Sequence, residues 1–148
     1  MNSLKFKVKS SKLFLGQSLF EVVFAIGVMA IILVGVVSLA TKSVQNSSFV
    51  SSNAIATKYA QEGLEWIRGQ RDQSWTNLTS RIGTTNLCQS PLNSWGGTCP
   101  ISGTYFTRRS VLTLINSSTI DAAVEVLWTD SSGTHTVRSV TRFTNWNR

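Results

Sequence analysis

Charge is missing from one long stretch of this chain, and histidine, cysteine and proline are scarce throughout it. The 148 residues hold one His, two Cys and two Pro. A single histidine, His135, allows no arguable Ser-His-Asp arrangement and adds too little to two cysteines for a metal-ligand set. Beside a turn, it reads as an exposed strand residue. Cys88 and Cys99 enclose ten residues, a spacing that excludes a Cys-x-x-Cys redox centre. No Gly-rich phosphate loop and no carboxylate pair stand out. The expectation is a protein that is not an enzyme and takes no cofactor, metal or small-molecule substrate.

The missing charge lies between Val22 and Ala40, nineteen residues without an ionisable side chain. As a helix they span about 29 Å, close to the hydrocarbon thickness of a bilayer. Lys5, Lys7, Lys9 and Lys12 precede them, with no acidic residue among the first twenty. Lysines on one flank hold that flank in the cytoplasm, so the C-terminal part should lie outside. Glu21 heads the apolar run. An acid there is costly enough to suggest a role. A secretory signal peptide would have a shorter apolar stretch and a small-residue cleavage site. A plain single-pass signal anchor remains open, but gives Glu21 no task.

Gly16, then Gln17-Ser18-Leu19-Phe20, then Glu21 ahead of a long apolar helix resembles the type IV pilins and the pseudopilins of type II secretion. Two positions depart from that pattern: Gln17 stands where Phe is usual, and Leu13-Phe14-Leu15 separate the basic leader from the Gly. The resemblance implies cleavage after Gly16 by a prepilin peptidase and N-methylation of Gln17. It implies that Glu21 sets axial register by meeting the terminal amine of a neighbouring subunit. The implied partners are the peptidase/N-methyltransferase, other pilin subunits in a helical filament and a membrane assembly platform. The implied location is the bacterial cytoplasmic membrane and then a cell-surface or periplasmic filament. Leu127 to Asp130, Gly133 and Thr144 to Trp146 look most like the minor pilins and minor pseudopilins. A pilus, a secretion pseudopilus and a DNA-uptake filament all remain open.

The formal charge of +7 includes the four leader lysines; without residues 1–16 the chain carries +3, an ordinary solvated surface. The regions divide as a leader (1–16), an apolar helix (17–40), its amphipathic continuation (41–74), a connecting region (75–103) and a sheet (104–148). Across Thr41-Lys42-Ser43 there is neither Pro nor Gly to stop the helix. Ala56, Ala60, Leu64 and Ile67 recur at helical period, with Ile55, Tyr59 and Trp66 in an adjacent row. Lys58 with Glu62 and Glu65 with Arg68 stand at pairing distance along it. Ser47, Ser48, Ser51 and Ser52 predict fraying or a bend; Gly69 and Ser74 predict the end. Gly27 and Gly35 could allow close helix approach.

Residues 75–103 read as irregular, with at most a short hairpin. For an exported domain, a Cys88–Cys99 disulfide is the favoured pairing. From Thr104 the period changes to two. Tyr105–Ile115, Ile120–Thr129 and Thr134–Thr144 predict three strands of an antiparallel meander, with Ala122, Val124, Val126 and Trp128 on one face and Glu125 on the other. The fold class is therefore α+β, a long N-terminal helix packed on a small sheet of about three strands. One other partner class follows from Arg108, Arg109, Arg138 and Arg142, which lie near Tyr105, Phe143 and Trp146. Arginines interleaved with aromatics can grip phosphates and stack bases.

Overall fold

In the computed structural model, the described residues are 15–84, 87–93, 95–96 and 98–145. Lys5, Lys7, Lys9 and Lys12, expected to form a leader, and Trp146 lie outside them. The elements are α1 (Leu15–Gln73), α2 (Trp75–Thr79), β1 (Leu87–Cys88), β2 (Thr107–Asn116), β3 (Thr119–Asp130) and β4 (Gly133–Thr144). The class is α+β. The chain falls into two compact units, Met1–Asn46 and Ser47–Arg148, and α1 supplies residues to both.

Within the second unit, α1 remains helical through the serines where fraying was expected. Ser52 does not compete for the helix backbone, because its hydroxyl is 2.9 Å from Tyr105 Oη. The helix also passes Gly69 and ends at Gln73. Ser74 then caps α2, its side chain accepting from the Asn77 N–H at 3.2 Å. This single turn, inside the segment read as irregular, carries Leu78 into the core with no exposed surface.

The sheet order is β1-β2-β3-β4, antiparallel throughout. The three predicted strands lie within two residues of the observed ones at their ends. The fourth strand, β1, is an addition: Leu87 and Cys88 pair with Ser110 and Arg109. Two residues show no period, so nothing in sequence patterning marks them as a strand. The Cys88–Cys99 disulfide ties this strand to the next loop. That loop is in turn held to β2, since Arg108 N–H donates to Cys99 O at 2.8 Å. The turns follow side-chain chemistry. Asn116 Oδ1 accepts from the Ser118 N–H, and Asp130 Oδ1 accepts from the Ser132 N–H. Gly133 supplies the positive φ of 128° that the last turn requires.

The core forms where the amphipathic stripe of α1 meets one face of the sheet. Ala56, Ala60, Leu64 and Ile67 are buried together with Leu112, Ile120, Ala122, Val124, Val126, Trp128 and Phe143. Two alanines on the helix side let backbone approach sheet, and Gly63 brings it closest. A Cβ placed on Gly63 would lie 2.9 Å from Val124 Cγ1 and 3.0 Å from Gln89 Oε1. Those distances are too short to accept without displacement. Gly69, on the same helix, has no atom within 4 Å of such a Cβ. The glycine at 63 is therefore a packing requirement, whereas the one at 69 is not.

This contrast gives a matched pair of substitutions. Alanine in a helix is favoured over glycine by about 1 kcal/mol, and overpacking costs about 1–3 kcal/mol. Gly63→Ala should lower the melting temperature of the detergent-solubilised chain. Gly69→Ala should raise it or leave it unchanged. Near-UV circular dichroism during a thermal melt reads both; an unchanged or higher melting temperature for Gly63→Ala would remove the close-approach explanation.

Candidate functional site

Two surfaces hold the residues singled out from the sequence. The first is the N-terminal part of α1. Gly16 and Gln17 lie inside the helix. From Leu19 to Val50 every residue is exposed, including Phe20, Phe24, Ile26, Ile31, Leu33 and Leu39. This is the one helix among the described residues that is long and apolar enough to cross a membrane. Soluble proteins do not leave so large a continuous apolar surface in water. Glu21 is exposed at its start, the only charged residue between Leu19 and Thr41. A Cβ at Gly27 or Gly35 would meet nothing within 4 Å.

The second surface is the sheet face turned away from α1. The arginine group expected to act together is split across both faces, because adjacent strand residues point oppositely. Arg108 faces the helix and is 3% exposed. Its Nε and Nη2 donate to Gln89 O at 3.1 and 2.5 Å, and its Nη1 donates to Tyr59 O at 3.2 Å. Glu62 Oε2 lies 3.8 Å away. Burial lowers the Arg108 pKa below the ordinary guanidinium value, with Glu62 and Tyr59 opposing that shift. The guanidinium stitches β2 to β1's flank and to α1. It is not displayed to any phosphate.

Arg109, Arg138 and Arg142 do share the open face, and all three meet carboxylates. Arg109 Nε donates to Glu125 Oε2 at 2.8 Å, and Arg138 Nε is 3.4 Å from Glu125 Oε1. Arg142 grips Asp121 with two bonds of 2.7 and 2.9 Å. Of the aromatics near them, Tyr105 is exposed and Phe143 is buried at 1%. Arg71 sits over the Phe143 ring at 5.2 Å. His135, expected as an exposed strand residue, is half-buried. Its Nε2 is 3.0 Å from Asp130 Oδ1, and its ring lies against those of Phe49 and Trp128. Phe49 and Gly63 are the contributors that periodicity did not single out.

Cys88 and Cys99 form the expected disulfide. Among the described residues, no group of three His, Cys, Asp or Glu could hold a metal ion. A depression of about 570 Å³ on the open face is lined by Tyr105, Thr107, Arg109, Leu127, Thr129 and Thr134, among others. Its one charged lining residue, Arg109, is already engaged by Glu125.

The Arg142 bonds hold the Asp121 carboxyl below its ordinary value of 3.8, and Asp121 in turn raises Arg142. Asp130 is lowered likewise, first by His135 and then by the Ser132 N–H. A carboxyl whose folded pKa is depressed adds stability above its unfolded pKa and loses it as pH falls through the folded one. The melting temperature should therefore drop on acidification below about pH 4. Asp121→Asn should make that drop shallower by slightly lowering the neutral-pH value, the effect being small because Arg142 is exposed and Asp121 only half-buried. Thermal melts at several pH values check this; an identical acid profile would mean that Asp121 carries no pH-linked stability.

Compared with known proteins, the chain matches no family model, no curated protein and no solved structure.

Proposed function

We propose that this protein is a structural subunit, of the minor-pilin kind, in a type IV pilus-like filament. It is held first in the cytoplasmic membrane by the apolar part of α1, cleaved after Gly16, N-methylated at Gln17 and then drawn into a helical assembly. The observation that carries this reading is the placement of one carboxylate, Glu21, five residues after Gly16 and directly ahead of nineteen uncharged residues. A single-pass anchor needs the apolar residues but not the acid. An assembly needs both.

Charge explains the order of events. Lys5, Lys7, Lys9 and Lys12 keep the N-terminus on the cytoplasmic side, and drawing four cations through hydrocarbon is prohibitive. Cleavage removes them and creates one amine, on Gln17. Within a water-poor bundle of apolar helices, neither that amine nor Glu21 is tolerable alone, but the two together are. Pairing Glu21 of one subunit with the Gln17 amine of another fixes the axial offset between neighbours. The same exposed apolar surface serves first against lipid and then against other helices. The α+β second unit, with its disulfide, suits display outside the membrane, where thiols oxidise. On this reading the chain performs no catalysis, and its partners are the processing enzyme, the assembly platform and other subunits.

Glu21→Ala tests the role directly. The variant should insert in the membrane as the parent does, be recovered at similar abundance there, and be depleted at least tenfold from sheared filaments. Immunoblots of membrane and filament fractions give both values. Incorporation at the parent's level would refute the pairing role of Glu21.

A further inference from the structure

The two edges of the sheet are treated differently. The β2 edge is closed over its first four residues, 107–110. β1 pairs with Ser110 and Arg109, Cys99 O accepts the Arg108 N–H and Pro100 bridges to Thr107, while a register shift against β3 between Leu114 and Asn116 makes the far end of β2 irregular. The β4 edge has none of these devices. Gly133–Thr144 pairs with β3 over twelve residues without a shift or a proline. Among the described residues, no group outside β3 hydrogen-bonds the backbone of Thr134–Thr144. A long, regular, unpaired edge is a template for another strand.

Side-chain rows across the open face specify what that strand should carry. One row runs Arg109, Glu125, Arg138; the next runs Val111, Ala123, Val140; the third runs Thr113, Asp121, Arg142. In the first row Glu125 is shared by two arginines, with Arg138 the more distant, so positive charge is in surplus at the edge. Continuing each row requires an acid beside Arg138, an apolar residue beside Val140, which is 52% exposed, and an acid beside Arg142. A second β4 is a poor fit. With Val140 opposite Val140 in an antiparallel pair, Arg138 would face Arg142, and like charges directly opposite are destabilising.

We propose that β4 is a docking edge for an extended segment of another protein, added antiparallel and carrying acid-x-apolar-x-acid on the open face. The chain contains the complementary pattern once, as Asp121-Ala122-Ala123-Val124-Glu125 in β3, which already satisfies β4 on its inner side. The added strand would repeat that solution on the outer side, gaining main-chain hydrogen bonds for affinity and the two arginines for register. This surface is independent of leader cleavage and of Glu21.

The test uses the full chain in detergent and a labelled peptide with the sequence of Thr119–Asp130. Its control is the same peptide with Asp121→Lys and Glu125→Lys. The first peptide should bind and slow hydrogen exchange at alternate amides of Thr134–Thr144, with β3 protection unchanged. The control should bind at least fivefold more weakly, and Arg138→Gln/Arg142→Gln protein should lose a similar factor. Equal binding of both peptides, no new protection in β4, or loss of β3 protection would each overturn the proposal. So would concentration-dependent pairing of the chain with itself through β4.

Discussion

The close approach of α1 to β3 at Gly63 is the constraint on which the rest of the second unit depends. With only hydrogen facing Val124 Cγ1, the helix settles low enough on the sheet for Ala56, Ala60 and Ile67 to become fully buried. That depth decides which sheet face is core. Ala122, Val124 and Val126 turn toward the helix and Asp121, Ala123 and Glu125 away from it. It also decides the fate of Arg108. Pressed beneath the helix, its guanidinium must be satisfied by carbonyls, and Gln89 and Tyr59 supply them. The Gln89 carbonyl is available because β1 and the disulfide hold that segment beside β2. Helix, sheet edge and cystine loop are thus fixed by one contact zone.

Much of this fold was legible from period alone. A 3.6-residue stripe at Ala56, Ala60, Leu64 and Ile67 and a two-residue alternation from Ala122 to Trp128 are strong signals, because each is repeated and each needs the other to be buried. Turn chemistry at Asn116 and Asp130 set the strand ends almost to the residue. What stayed hidden has a common cause. β1 is two residues long, α2 is one turn, and Gly63 matters only through what lies opposite it; none of these leaves a periodic trace. The arginines illustrate the limit from the other side. Read as a basic set, Arg108 and Arg109 look equivalent, yet strand alternation sends one under the helix and the other to Glu125.

The first unit poses a different physical problem. Its residues from Leu19 to Asn46 are exposed along an apolar helix long enough to cross a membrane, and the proposed function gives that surface lipid first and other helices afterwards. An acid at the head of such a surface is costly in the first setting and useful in the second, provided a cation meets it. In the proposed processing, the cation generated nearby is a new amino terminus at Gln17. Under the proposed function, anchor, processing site and assembly surface are three uses of one helix in sequence, and the second unit is the part displayed outside.

The most direct measurement is the amino terminus of the mature protein. Isolated from cells that make a prepilin peptidase, the chain should begin at Gln17, carry a methyl group on its terminal nitrogen, and lack all four leader lysines by mass spectrometry. A mature chain that begins at Met1, or that retains Leu15-Gly16, would contradict the proposed processing and leave the apolar helix a plain anchor.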